Sequence, residues 1–172
     1  MKILQLGKFY PIRGGVEKVM EIFTQGLAER GFASDMLCAS HDGETEDVVL
    51  AEHSRIFRTK SLVKGAATMI SPRMILRLRR ICSSYDIIHI HHPDPMATLA
   101  LFLSGYKGKV VLHWHSDILK QKVLLRFFDP LQRWLIHRAD LILGTTPVYV
   151  SESPFLKKVQ AKTSYLPIGV DP

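Results

Sequence analysis

Short runs of consecutive apolar residues alternate with longer segments of helical period along almost the whole chain. Ile3 to Leu6 reads as a strand, followed by a turn with Pro11, Gly14 and Gly15. From Val16 onward Val19, Met20, Phe23 and Leu27 recur at helical spacing, and Gly31 supplies the stop. Ala33 to Cys38 is a second strand. Asp42 to Asp47, acidic and containing Gly43, reads as a loop, and Ser54 to Phe57 as a short third strand. Pro72 suits the first turn of a helix reaching about Ser83. Ile87 to His91 is a strand of the fully buried type, opened by Asp86 and stopped by Pro93 and Pro95. The pattern then predicts a helix over Met96 to Ser104, a strand over Lys109 to His113, a long helix over Val123 to Arg138 and a strand over Asp140 to Thr145. Pro147 starts a further helix, and Thr163 to Leu166 is the last strand before Pro167.

Continuously apolar strands separated by helices predict an α/β fold: a Rossmann-like parallel sheet of about six to seven strands with helices on both faces. Ligands of such sheets bind at the carboxyl ends of the strands, so chemistry is sought in the residues just after each one. The sheet accounts for residues 1–166. Residues 167–172, Pro-Ile-Gly-Val-Asp-Pro, carry no helix to close it and read as the start of a linker.

Length and composition narrow the classes. At 172 residues and 19.5 kDa, with 47% hydrophobic and 23% charged residues, the chain has the profile of one globular domain. A disordered tail, a collagen-like fibre and a disulfide-stapled miniprotein are excluded. No apolar run approaches the ~18 residues of a membrane-spanning helix. The N-terminus turns polar too early for a secretory signal, so the expected location is the cytoplasm. Cys38 and Cys82 lack paired-thiol spacing and read as reduced thiols. The net charge of +7 is concentrated. Between residues 55 and 80 there are eight bases and no acid, whereas outside it 15 bases face 16 acids.

Three groups of residues offer chemistry. Gly14 and Gly15, after the first strand and opening the first helix, clear the way for an anion to reach backbone amides at the positive end of the helix, with Arg13 beside them. The spacing is not the dinucleotide fingerprint, and a plain turn is the competing reading. Five histidines, His89, His91, His92, His113 and His115, fall toward the ends of two strands. Alternation puts His89 and His91 on one face of theirs, and His113 and His115 on one face of theirs. Their spacing matches no zinc motif, so no metal is expected. Contacts to a sugar or phosphate and simple structural hydrogen bonding both remain open. In the basic stretch, Met74, Ile75, Leu78, Ile81 and Cys82 share a helical face and Arg73, Arg77 and Arg80 another, with Arg79 adding charge. This suits either a seat on anionic lipid or an ordinary surface helix. Nucleic acid is not expected, because apart from Phe57 no stacking aromatics interleave the arginines. Ser116 beside His115 is not a serine triad, since neighbours on a strand end point apart.

Together these residues resemble a known family. Lys2-Ile3-Leu4-Gln5-Leu6 with Pro11 and Gly14-Gly15-Val16-Glu17 is similar to the opening of glycosyltransferase family 4, which has the GT-B fold. Asp86-Ile87-Ile88-His89-Ile90-His91-His92, His113-Trp114-His115-Ser116-Asp117, Ala139-Asp140-Leu141-Ile142-Leu143 and Leu166-Pro167-Ile168-Gly169-Val170-Asp171 are similar to later motifs of the same family. The resemblance covers essentially the whole chain. It implies the N-terminal, acceptor-binding domain of a two-domain enzyme, with the nucleotide-sugar domain outside these residues. Gly14 and Gly15 would approach the donor diphosphate. His115 would stand near the transferred sugar and stabilise positive charge developing at its anomeric carbon.

On the same resemblance Arg13, His91, His92, Asp94 and Asp117 would line the acceptor and sugar side. Thr145 and Thr146 would stand where the family often carries a serine facing the cleft. One departure is that Gln132 and Arg133 stand near the position of a usual helix glutamate, so that helix receives no catalytic role. Members are commonly retaining transferases that need no metal or cofactor. They move sugar from a UDP- or GDP-linked donor to a glycan or lipid-linked acceptor in lipopolysaccharide, capsule or glycolipid synthesis, at the inner face of the cytoplasmic membrane. The basic stretch, with Arg73, Arg77, Arg79 and Arg80, then reads as a peripheral membrane patch. Residues 1–172 alone are expected to transfer no sugar. Two rivals of other classes are a non-catalytic sugar- or phosphate-binding module and a histidine-rich metal-dependent hydrolase.

Overall fold

The computed structural model describes residues 1–10, 14–40, 42–65, 68–117 and 122–168. In chain order the elements are β1 (Lys2–Tyr10), α1 (Gly15–Glu29), β2 (Ala33–Ser40), β3 (Glu46–Ala51) and β4 (Ser54–Lys60). Then come β5 (Val63–Gly65), β6 (Thr68–Ile70), α2 (Pro72–Ile81), β7 (Ile87–His92), α3 (Pro95–Ser104) and β8 (Lys109–Trp114). The last are α4 (Lys122–Arg138), β9 (Leu141–Gly144), α5 (Pro147–Glu152) and β10 (Thr163–Tyr165). Among the described residues eight strands form one sheet in the order β10-β9-β8-β7-β1-β2-β4-β3, and β5 pairs with β6 in a separate hairpin. Every neighbour pair in the large sheet is parallel except β3 with β4.

The expected parallel α/β sheet is present, with one strand more than the apolar runs indicate. The addition is β3, which begins inside the segment read as a loop. Its Glu46-Asp47 start hides it, yet Val48 and Leu50 pack inward beside Met20, Met36, Cys38 and Ile56 while Val49 faces out. That alternation is the signature of a half-covered edge strand, and an antiparallel edge is a common finish for a parallel sheet. β4 also runs past Phe57 to Lys60, because buried Arg58 and Thr59 continue its ladder to β2.

β1 lies in the middle and is buried on both faces, with Ile3, Leu4, Gln5 and Leu6 all almost without exposure. From it the chain winds one way through α1 to β2, and later the other way through α3 to β8. The β1–β7 boundary is therefore the point where the topology reverses, the usual place for a ligand in an open parallel sheet. The two directions also put helices on opposite faces. α1 lies against the face carrying Met36, Cys38 and Ile56. α2 to α5 cover the other, where Leu4, Leu6, Ile88, Ile90, Leu112, Trp114 and Ile142 meet Met74, Leu78, Ala97, Ala100, Leu135 and Val150. Gly31, at φ +80°, turns the chain out of α1 into β2 in the left-handed conformation glycine adopts without strain.

One carboxylate ties the centre of the sheet together. After Leu6 the register of β1 shifts, Lys8 takes a positive φ of 40°, and the Lys8 N–H turns to donate to Asp94 Oδ2. Asp94 Oδ1 accepts from the Ala97 N–H at 3.0 Å and so caps α3. Replacing Asp94 by Ala removes a helix cap and orphans a backbone donor. The expected loss is about 2–3 kcal/mol of unfolding free energy. Urea denaturation of D94A checks it, with D94N, which keeps one acceptor, losing less. A change within about 0.5 kcal/mol, no more than an ordinary surface substitution, would contradict the tether.

Candidate active site

The carboxyl ends of β1, β7 and β8 are adjacent. β7 pairs with β1 through Gln5↔His89 and Leu6↔Ile90, and with β8 through His91↔His113 and His92↔Trp114. Side-chain alternation then sends His89, His91, His113 and His115 to the α1 face as one cluster. Along β7 the His89 and His91 rings have centroids 4.5 Å apart, and along β8 those of His113 and His115 are 4.1 Å apart. Phe23 of α1 closes over them with its ring at about right angles to His89, at 5.2 Å, and to His113, at 5.7 Å. His92 points the other way, into the helical layer, and stacks on Trp114 at 3.8 Å.

Water exclusion and mutual proximity hold these rings neutral. Burial pushes His89 down to about 3, with the nearness of His113 and His115, which disfavours a second charge, adding to the shift. Burial does the same to His115, at about 3, and to His113, at about 4. His92 is lowered to about 3, chiefly by burial and then by Lys8. His91 is driven well below the ordinary histidine range, first by burial and then by His89, His115 and His113. An uncharged imidazole offers a lone pair and one N–H, and can orient or accept a hydrogen bond without carrying positive charge.

His115, just past β8, is joined to the interior. Its Nε2 lies 3.0 Å from His91 Nδ1, and His91 Nε2 lies 2.8 Å from Gln5 Oε1. His115 Nδ1 has no hydrogen-bond partner among the described residues. Both nitrogens of His91 are thus engaged inside the protein. This also bears on metal binding. Donor nitrogens of His89, His91 and His113 lie within 4.8 Å of one another. In this structure His91 spends both ring nitrogens on Gln5 and His115.

At the end of β1, Gly14 precedes α1 with extended backbone and no side chain caps the helix. The buried Glu17 carboxylate lies against Gly14, where an added Cβ would stand 2.6 Å from its Oε2. Glu17 is a neighbour of the glycine turn that glycine spacing alone does not reveal, and a first-turn acid is its only sequence signal. Gly15 is open, with nothing within 4 Å of a Cβ placed there.

Other residues singled out in the sequence are distributed differently. Arg13 lies outside the described residues, as do residues 169–172 of the linker segment. Asp94 spends both oxygens on backbone amides, as described above. Asp117 Oδ1 accepts from Trp114 Nε1 at 2.8 Å and from Ser153 Oγ at 3.2 Å, which docks the chain after β8 onto the segment after α5. Thr146 Oγ1 caps α5 by accepting from the Tyr149 N–H, while Thr145 stands beside it at the end of β9. His92, in the opposite layer, is not brought together with His91.

The basic stretch is partly neutralised by acids the chain order hides. Arg58 is buried and ion-paired with Asp42 and Glu46. Arg77 pairs with Asp47 and lies over the Phe57 ring, and Arg73 donates to Thr45. Arg79 and Arg80 remain exposed at the end of α2. Among the described residues no helix is long and apolar enough to cross a membrane.

The topological switch point, the glycine turn and the terminal histidine define a GT-B-like N-terminal domain. The sequence pattern of Glycosyltransferase Family 4 matches residues 13–172, and the chain belongs to that family. It is 36% identical over 173 residues to O-antigen chain mannosyltransferase C of Escherichia coli, an alignment covering 99% of this chain and 46% of that protein. The chain thus spans about half the length of the curated relative it matches. Sucrose-phosphate synthase from Thermosynechococcus elongatus shares the fold, with a TM-score of 0.68 at 15% identity over 99% of this chain and 49% of that one. Anabaena HepE, solved in complex with UDP-glucose, does so with a TM-score of 0.57 at 18% identity over 99% and 44%.

Buried neutral histidines make stability depend on pH. Their folded pKa values lie below the unfolded value near 6.5. The unfolded chain therefore binds protons that the folded chain refuses as pH falls through 6.5 toward 4. Each such group costs about 1.4 kcal/mol per pH unit in that window, and stability is full above it. For His89, His91, His92, His113 and His115 together, unfolding free energy should drop by roughly 4–6 kcal/mol between pH 7 and 5.5. Urea titrations at the two pH values measure it. A difference below about 1 kcal/mol, less than one such group supplies, would show that the rings are protonated or solvated.

Proposed function

We propose that residues 1–166 form the acceptor-side lobe of a retaining glycosyltransferase that moves a sugar from a UDP- or GDP-linked donor to a glycan or lipid-linked acceptor of the cell envelope. The observation that carries this reading is the placement of neutral His115 and the Gly14-Gly15 turn, open at Gly15, around one switch point, at the ends of strands in a family 4 sheet. The 36% identity to an O-antigen mannosyltransferase supports the cell-envelope class. The likeness in fold to a protein solved with UDP-glucose is consistent with a nucleotide-sugar donor.

In this mechanism the uncapped amides of α1, with the helix dipole behind them, face the donor diphosphate, and Gly15 lets that anion approach the backbone. As the bond to the leaving diphosphate lengthens, positive charge grows at the anomeric carbon. A neutral imidazole at His115 stabilises that charge with its electron-rich edge, whereas an imidazolium would oppose it. Thr145 bounds the same edge. Asp94, Asp117 and His91 serve by holding the turns and ring that do the contacting. The partner lobe with the nucleotide pocket lies outside residues 1–172, and this segment alone transfers no sugar. Work is done in the cytoplasm, with exposed Arg79, Arg80 and Arg73 drawing the domain to anionic lipid.

His115→Ala in the complete enzyme should lower kcat by at least 100-fold, on the order of one lost electrostatic contact to a transition state, in a protein that still folds but loses about 1–3 kcal/mol because buried His91 Nδ1 is left without its partner. Wild-type turnover would remove His115 from the reaction. Gly15→Ala should fold at least as stably, since alanine favours a helix and meets no neighbour there. Its turnover should nevertheless fall about tenfold or more, roughly the effect of losing one well-placed contact to the donor. Unchanged kcat/KM in G15A would place the diphosphate elsewhere. Sedimentation with vesicles tests the lipid seat: binding should require anionic lipid and fade with salt. Equal binding to neutral vesicles would dismiss it.

A further inference from the structure

Gln5 is the one polar side chain in the run Ile3 to Leu6 of the central strand, and it is fully buried. A polar group at such a place costs several kcal/mol unless it is partnered, and its partner is a specific one. Its Oε1 meets His91 Nε2 at 2.8 Å, and His91 Nδ1 meets His115 Nε2 at 3.0 Å. The His91 and His115 rings are 17° from parallel with centroids 5.3 Å apart, the spacing expected of two imidazoles joined edge to edge by an N–H···N bond. The chain crosses β1 and β7 and ends on the residue after β8.

The direction of this chain follows from its first member. A carbonyl oxygen only accepts, so His91 carries its proton on Nε2. Its Nδ1 is then a bare lone pair, and His115 must donate to it from Nε2. His115 Nδ1 is left as an acceptor; it and Gln5 Nε2 are the buried polar atoms of this chain without a hydrogen-bond partner among the described residues. We propose that Gln5 and His91 are positioning residues that lock His115 in the Nε2–H tautomer, so that its buried Nδ1 is held as an unprotonated lone-pair acceptor. The proposal deepens the role given to His115 above and rests on it for its functional meaning. The tautomer itself does not depend on catalysis.

The test is long-range proton–nitrogen correlation NMR of the native gene product labelled with 15N-histidine at pH 7, with His91 and His115 assigned by single substitutions. The expected wild-type result is that each ring shows one pyrrole-type nitrogen at ε2 and one pyridine-type nitrogen at δ1. In Gln5→Met, of similar volume but with no acceptor, both rings should move to a mixture of tautomers. Gln5→Glu, which keeps an acceptor, should restore the single form. A wild-type His115 protonated on Nδ1, or a mixture, overturns the proposal without needing any variant to fold. An unchanged tautomer in folded Q5M overturns it as well. The two ideas fail separately. Wild-type turnover by H115A with locked tautomers defeats the catalytic role alone, whereas lost turnover by H115A with unlocked tautomers defeats the relay alone.

Discussion

Everything at the candidate site depends on the pairing of β1 with β7 in the middle of a sheet covered on both faces. A strand so enclosed makes each polar contact it holds costly to break. The register Gln5↔His89 brings Gln5 within reach of His91, one residue pair nearer the carboxyl end. The same pairing seats Asp94 where it captures the Lys8 amide and caps α3. A slip of one residue would turn the histidines toward the helical layer and bring Ile88 and Ile90 to the α1 side. Core packing, turn geometry and the orientation of His115 are in this sense one constraint.

The cluster exploits an ordinary consequence of burial. Removing water from several imidazoles keeps them all neutral, and each disfavours a charge on the next. Neutrality suits a residue that faces growing positive charge, because a permanent cation there would repel it. The cost is borne as acid sensitivity of the fold. On the role proposed for His115, stability and chemistry draw on the same desolvation.

Much of this was legible in the sequence, for reasons that also explain the exceptions. Ile88 to His92 and Val110 to Trp114 are largely buried on both sides, so their apolar content announces strands, and strict alternation places the histidine pairs on one face. β3 was hidden because an edge strand needs only alternate apolar residues, and acids open it. The charge of the 55–80 stretch was overstated because Asp42, Glu46 and Asp47 fold back on it from outside that window. Asp94 and Asp117 have the residue type of ligand-binding carboxylates. Only three-dimensional contacts show that backbone amides, Trp114 and Ser153 occupy them. His92 differs from His91 by one position on a strand, and that is enough to put it on the opposite face.

The most direct test of the account is a crystal structure of the native gene product with an intact nucleoside-diphosphate sugar. The account predicts the diphosphate at the Gly14-Gly15 end of α1 and the sugar beside His115 at the end of β8. A donor bound away from the carboxyl ends of β1, β7 and β8, out of reach of His115, would contradict it.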